Sequence, residues 1–181
     1  MIDKVLIGEC IKGDFRTFRK VVESASPQVF SVAFRMIGEE EIAKDIVQDT
    51  MVTVWEKNGS IKTPEAFKTW LYRITYNKCC DFLRKKKING EVRGDETGWK
   101  LISETVFSEH PSDLENKEIA TIIRSLTEKL SPKQKTVFVL CDLEDMSNEE
   151  TSEITGMSRS NIKANLHFAR KRIGEMIEKY I

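Results

Sequence analysis

The stretch from Ser147 to Arg172, SNEETSEITGMSRSNIKANLHFARKR, punctuates itself as helix, short turn and helix, and loads its second helix with positive charge. Ser147 followed three residues later by Glu150 forms a capping box, which predicts a short helix starting near Asn148. Gly156 supplies a residue that can take the left-handed conformation just past the end of that helix, and Ser158 is a second N-cap. Along the second helix Ile162, Leu166, Ala169 and Ile173 recur at helical spacing and should face inward. Ser160, Ala164, His167 and Lys171 then fall near the centre of the opposite face, with Lys163 and Phe168 at its edges. From Arg159 to Arg172 there are five Arg or Lys residues and no acid. A helix-turn-helix sets its second helix in the major groove while flanking cations neutralise phosphates, so geometry and charge point to DNA together. The competing reading is a helical hairpin in a core with a solvated basic face.

The chain of 181 residues is 40% hydrophobic and 32% charged, which suits one helical domain or two small ones. Its formal net charge is zero, but the charge is unevenly placed. Residues 36 to 57 hold six acids and two bases, residues 67 to 90 seven bases and one acid, and residues 88 to 117 seven acids and three bases. Such alternation predicts different partners for different segments. No apolar run has the length of a membrane span, and the N-terminal MIDKVLIGECIKGDF lacks the regions of a signal peptide, so a cytoplasmic location is expected. Cys10, Cys79, Cys80 and Cys141 show no CxxC spacing, which favours reduced thiols over a zinc site or a disulfide framework. No cofactor is implied.

The remaining segments also read as helices, and no strand is convincing. In residues 14 to 37, Phe15, Phe18, Val21 and Val22 mark one stripe and Val29, Phe30, Ala33, Phe34 and Ile37 a second, with Pro27 between them. Ile42, Ile46, Val47, Met51, Val54 and Trp55 give an apolar stripe to an acidic helix. A further helix, from Glu65 to about Lys87, carries Phe67, Trp70, Leu71, Ile74 and Phe82 and ends in Arg84-Lys85-Lys86-Lys87. From residue 89 to residue 116 the periodicity fails amid glycines and acids, which predicts a flexible acidic linker. Roughly 30 such residues have a relaxed span of about 30 Å, so two domains could sit well apart. Beyond the linker, Ser131-Pro132-Lys133-Gln134 combines an N-cap, Pro at N1 and a capping-box Gln. Val137, Phe138, Cys141 and Leu143 supply the buried side of the helix that follows. The expected fold is all-α: a helical domain over 1–88, a linker over 89–116, and a four-helix domain over 117–181.

Three blocks in this order resemble group IV sigma factors, the extracytoplasmic-function type of the sigma-70 family. They are AKDIVQDTMVTVWEK (43 to 57), AFKTWLYRITYNKCCDFLRKKK (66 to 87) and LSPKQKTVFVLCDLEDMSNEETSEITGMSRSNIKANLHFARKRI (130 to 173). The resemblance implies a protein that binds core RNA polymerase and directs promoter-specific initiation, with an extracytoplasmic or stress signal relayed through a separate anti-sigma protein. It assigns 1–88 to sigma region 2 and 117–181 to sigma region 4.

By the same resemblance the acidic helix docks on the polymerase through Asp45, Gln48 and Asp49, where charge complementarity would steer the encounter. The basic helix after it would capture the melted minus-ten element with Tyr72, Arg73, Tyr76, Asn77, Lys78, Arg84 and Lys85, since aromatics and cations together compete with base stacking. Trp70 suits a core place equally well. Asn77 corresponds to a family position near a flipped-out base. Arg159, Ser160, Lys163, Ala164, His167, Phe168 and Lys171 would meet the minus-thirty-five element as duplex. Phe168 stands where Arg is frequent in the family, and Ala164-Asn165 replaces a common Ser-Arg pair, so the promoter sequence should differ from that of relatives. Thr151 and Ser152 replace small and aliphatic residues, which predicts looser packing of the first helix of the motif.

No Gly-rich phosphate loop, HExxH, or Cys/His or Ser/His constellation supports an enzyme. The alternative is a transcription regulator whose N-terminal helices sense a signal or dimerise. The aromatic, basic segment from Phe67 to Lys87 separates the two, because a sensor domain has no need of it.

Overall fold

In the computed structural model of the protein, residues 4–11, 14–61, 63–88, 122–123 and 125–178 are described. They form helices joined by short turns, and no strand occurs among them. The N-terminal half contains α1 (Lys4–Ile11), α2 (Phe15–Ile37), α3 (Glu40–Lys57) and α4 (Phe67–Ile88), with short 3-10 turns at Asn58–Ser60 and Pro64–Ala66 before α4. The C-terminal half contains helical backbone at 122–123 and 125–128, then α5 (Pro132–Phe138), a π-helical turn (Val139–Leu143), α6 (Asn148–Thr155) and α7 (Arg159–Ile177). The expected acidic linker and the start of the helix that opens the expected C-terminal domain, near Asn116 to Leu130, lie outside the described residues.

Asp14 starts α2 by accepting hydrogen bonds from the backbone amides of Arg16 and Thr17, and Gly38 ends it in the left-handed region at φ 84°. Pro27 does not divide this segment, contrary to the two separate stripes in its sequence. The helix runs through it, with Ser24 and Ser26 donating their hydroxyls back to the carbonyls of Val21 and Val22. Pro27 is exposed, so water can reach the carbonyl that loses its amide partner, and burial on both sides of it outweighs the local cost. Val21, Ala25, Val29, Val32 and Ala33 are fully buried along one face.

That face packs on α3 and α4 through Ala43, Val54, Phe67 and Leu71. The same apolar cluster continues into the C-terminal half through Leu140, Met146 and Ile154. The two halves therefore meet over one continuous core rather than sitting apart, as linker length alone would allow. Two smaller clusters belong to the C-terminal half: Leu126, Leu130, Ala169 and Ile173 with Phe138 and Met176, and Val137, Ile162 and Leu166 with Cys141 and Met157. The π-helical turn is what lets one segment serve both sides. Its wider winding buries Val139 and Leu140 completely and carries Glu144 onto α2 and α4.

Candidate nucleic-acid interface

The helix-turn-helix is built by the caps read from its sequence. Ser147 accepts from the Glu150 amide while the Glu150 carboxylate accepts from the Ser147 amide, at 3.1 and 2.9 Å. Gly156 closes α6 at φ 73°, and Ser158 caps α7 by accepting from the Asn161 amide. Ile162, Leu166, Ala169 and Ile173 are buried. Arg159, Ser160, Lys163, Ala164, His167, Phe168 and Lys171 are all exposed, so α7 presents the outward surface expected of it.

Two of its cations are engaged at their edges: Arg159 meets Glu149 at 3.0 Å, and Lys171 lies 3.9 Å from Glu175. Arg170 instead grips Asp142 of the π-helical turn through two hydrogen bonds of 2.9 and 2.5 Å. This bidentate bond favours the charged guanidinium, raises its pKa and pins α7 against the preceding turn. Thr151 and Ser152 are accommodated rather than loosening α6. Thr151 is fully buried with its hydroxyl 3.3 Å from Cys141 Sγ, and the Ser152 hydroxyl donates to the Met157 carbonyl across the turn at 2.8 Å.

On α4, Arg73, Asn77, Arg84 and Lys85 are exposed, while Tyr76 and Lys78 are half-buried. Arg73, Asn77 and Arg84 lie within roughly 40° of one another at 3.6 residues per turn, whereas Lys78 and Lys85 sit about 120–140° from Arg73 on another flank. Lys78 lies 4.0 Å from Asp49 of α3, so the basic and acidic helices touch at that edge. Trp70 packs beside Phe67 at 6.2 Å between ring centroids and belongs with the core. Burial pushes the Tyr76 hydroxyl to a higher pKa, with a contribution from its neighbour Cys80, and burial pushes the Cys79 thiol up to about 12.

Tyr72 differs from expectation. It is 1% exposed, and its hydroxyl donates to Glu144 Oε2 at 2.9 Å. A ring held there has no face for a base, so Tyr72 serves the contact between the halves instead. Glu144 Oε1 accepts from Ser31 at 2.9 Å and pairs with Arg35 at 2.5 Å, and its carbonyl accepts from Lys68 at 3.2 Å. This hub was missed from sequence, because Glu144 is one acid within LCDLED and no periodicity connects it to α2.

Asp45, Gln48 and Asp49 are exposed together on α3 with Val52, which is 57% exposed. The described surface therefore combines an acidic helical face, a basic helix bearing aromatics, and a capped helix-turn-helix with an open outer face. Fold and surface together define an all-helical protein that carries a capped helix-turn-helix and separate acidic and basic helical faces.

Comparison with known proteins makes the class specific. Residues 21–88 match the family model for Sigma-70 region 2, and residues 120–173 match that for Sigma-70, region 4. The ECF RNA polymerase sigma factor SigW of Bacillus subtilis is 30% identical over 98% of this chain and 97% of its own length. The RNA polymerase sigma factor SigV of the same organism is 30% identical over 78% of this chain and 80% of its own. The chain belongs to the extracytoplasmic-function (ECF) RNA polymerase sigma factors of the sigma-70 family. It is thus a transcription initiation factor that directs promoter-specific transcription.

Among solved structures, CnrH in complex with the cytosolic domain of CnrY is similar with a TM-score of 0.69 at 24% identity, over 98% of this chain and 97% of that one. The sigma factor RpoE in complex with the anti-sigma factor NepR from Bartonella quintana has the same TM-score at 22% identity, over 89% and 96%. These likenesses concern the fold. No helix among the described residues is long and apolar enough to cross a membrane.

Proposed function

We propose that this sigma factor works by binding alone, without catalysis, through three surfaces divided between a region over 1–88 and a region over 117–181, with 89–116 as the linker. Asp45, Gln48 and Asp49 dock on core RNA polymerase. Arg73, Tyr76, Asn77, Lys78, Arg84 and Lys85 meet the minus-ten element once it is melted. Arg159, Ser160, Lys163, Ala164, His167, Phe168 and Lys171 meet the minus-thirty-five element as duplex. The observation that supports this division is the separation of exposed charge: acids gather on the outer face of α3, whereas cations gather on α4 and α7. Polymerase and DNA carry opposite demands, and complementary patches raise encounter rates with each.

Relatives of this fold are described in complex with an anti-sigma factor or with a cytosolic partner domain, which supports control of this chain by an anti-sigma protein in the cytoplasm. Run-off transcription with core polymerase on genomic fragments tests the reading. Specific transcripts are expected only when both are present, with weak gel-shift binding by the free chain. Tight specific DNA binding by the chain alone, with no transcription on adding core, would instead favour a conventional regulator.

A further inference from the structure

The outer face of α7 is not uniformly polar. Phe168 is 56% exposed, well above Trp55 at 38%, the other aromatic among the exposed large hydrophobics of the described residues. The ring does not fill a core, because Ile162, Leu166, Ala169 and Ile173 already supply the buried stripe. One turn earlier stands Ala164, also exposed. Four positions apart, Ala164 and Phe168 share one face of the helix, where long side chains lean back toward the preceding turn.

The neighbouring polar residue on that turn does not compete for a base. Asn165 Nδ2 donates to the Asn161 carbonyl at 2.8 Å and to Asn161 Oδ1 at 2.5 Å, which turns its amide into its own helix. His167 meets the ring nearly edge-on, at 5.6 Å between centroids and 68° between planes. Exposed cations surround the pair, with Lys163 on one side and Lys171 and Arg172 on the other. The result is a small apolar contact set inside a basic face.

Cations find phosphates at a duplex, and the hydrogen-bonding edges of the bases suit polar side chains. An exposed phenyl ring in the major groove has one matching partner, the C5-methyl group of thymine. The geometry points to Phe168, backed by Ala164, as a reader of a thymine methyl group in the upstream promoter element. This rests on the proposed reading of α7 as the DNA-facing helix and adds to it the chemical feature that Phe168 recognises.

Deoxyuridine in place of thymidine removes that methyl group and leaves base pairing intact, which makes the inference testable. Holoenzyme assembled from the full chain and core polymerase selects its upstream element from a randomised duplex library. The selected duplex is then rebuilt with deoxyuridine at one thymidine at a time. At one or two positions the wild type should lose about four-fold in affinity, the worth of one buried methyl group. Phe168→Ala should bind both duplexes alike, and Phe168→Leu should retain part of the discrimination. A thermal melt of each variant confirms that the fold is kept.

Insensitivity of the wild type to every thymidine replacement would overturn the inference while leaving α7 as a DNA-binding helix. So would full wild-type discrimination between thymidine and deoxyuridine duplexes by Phe168→Ala. Wild-type promoter use by Phe168→Ala, with no methyl discrimination by either protein, would assign the ring to a protein partner and overturn it likewise. Failure of the holoenzyme to enrich any upstream element would remove the DNA-facing reading of α7 itself, and the inference with it.

Discussion

The hydroxyl of Tyr72 on α4 donates a 2.9 Å hydrogen bond to the carboxylate of Glu144, in the turn between the π-helical residues and α6. Arg35 and Ser31 of α2 hold the other oxygen of the same carboxylate. One side chain from the C-terminal half thus gathers three from the N-terminal half, beside an apolar cluster that spans both. The aromatic ring and the carboxylate define how the two halves meet.

Glu144→Ala should cost about 1.5–3 kcal/mol, the range for hydrogen bonds to charged groups, because it strands the buried Tyr72 hydroxyl and removes the carboxylate partner of Arg35. Urea unfolding followed by tryptophan fluorescence measures this, and small-angle scattering reports whether the halves separate. A variant with wild-type stability and wild-type dimensions would show that the contact contributes nothing in solution.

Burial, and then the negative charge of Glu144, raise the Tyr72 pKa above its ordinary value. A raised folded-state pKa means that this contribution to stability is fully present below about pH 10 and is lost as pH climbs through the folded-state value. Wild-type stability should therefore fall more steeply than that of Tyr72→Phe as pH rises above about 10. Parallel pH slopes for the two proteins would contradict the assigned bond.

On α3, Asp45→Lys combined with Asp49→Lys should abolish most core polymerase binding while changing stability by only about 0.5 kcal/mol, as is usual for exposed positions. Loss of the 4.0 Å Asp49 to Lys78 contact is included in that small figure. Pull-down with core polymerase and a melting curve on the same preparation separate the two effects. Unchanged binding would take these residues out of the polymerase interface.

The two DNA-facing helices should fail differently. Lys163→Ala or His167→Ala should weaken use of the upstream element, by about 1–3 kcal/mol for a base contact and less for a phosphate contact. Asn77→Ala should leave upstream binding near normal and impair opening of duplex promoters, because its proposed partner base is available only after melting. Permanganate footprinting on duplex and pre-melted templates distinguishes them. Equal defects of Asn77→Ala in upstream binding and in opening would merge the two roles.

Gly156→Ala should destabilise the helix-turn-helix by about 1–2 kcal/mol through backbone strain alone. The residue holds φ 73°, and a Cβ added there meets nothing within 4 Å, so no clash contributes. Thermal unfolding checks the size of the effect. A neutral outcome would mean that the turn relaxes to another conformation.

Local signals determined much of this protein. Capping boxes at Ser147 and Ser131, the left-handed Gly156 and the stripe Ile162, Leu166, Ala169 and Ile173 are written in neighbouring residues, because caps and helical faces depend on contacts within four positions of the chain. The exposure of Asp45, Asp49 and Lys163 followed from the same periodicity. Tertiary structure decided what local rules leave degenerate. Pro27 remains inside α2 because burial on both sides outweighs one missing amide, and no local rule weighs that balance. Tyr72 had the composition of a stacking residue yet became an inward hydrogen-bond donor, since its partner Glu144 comes from the other half of the chain. Arg170, one of five cations between Arg159 and Arg172, pairs with Asp142 of the preceding turn. Each of these outcomes rests on a pairing between residues distant in sequence, and only the folded chain sets which distant groups come within hydrogen-bonding reach.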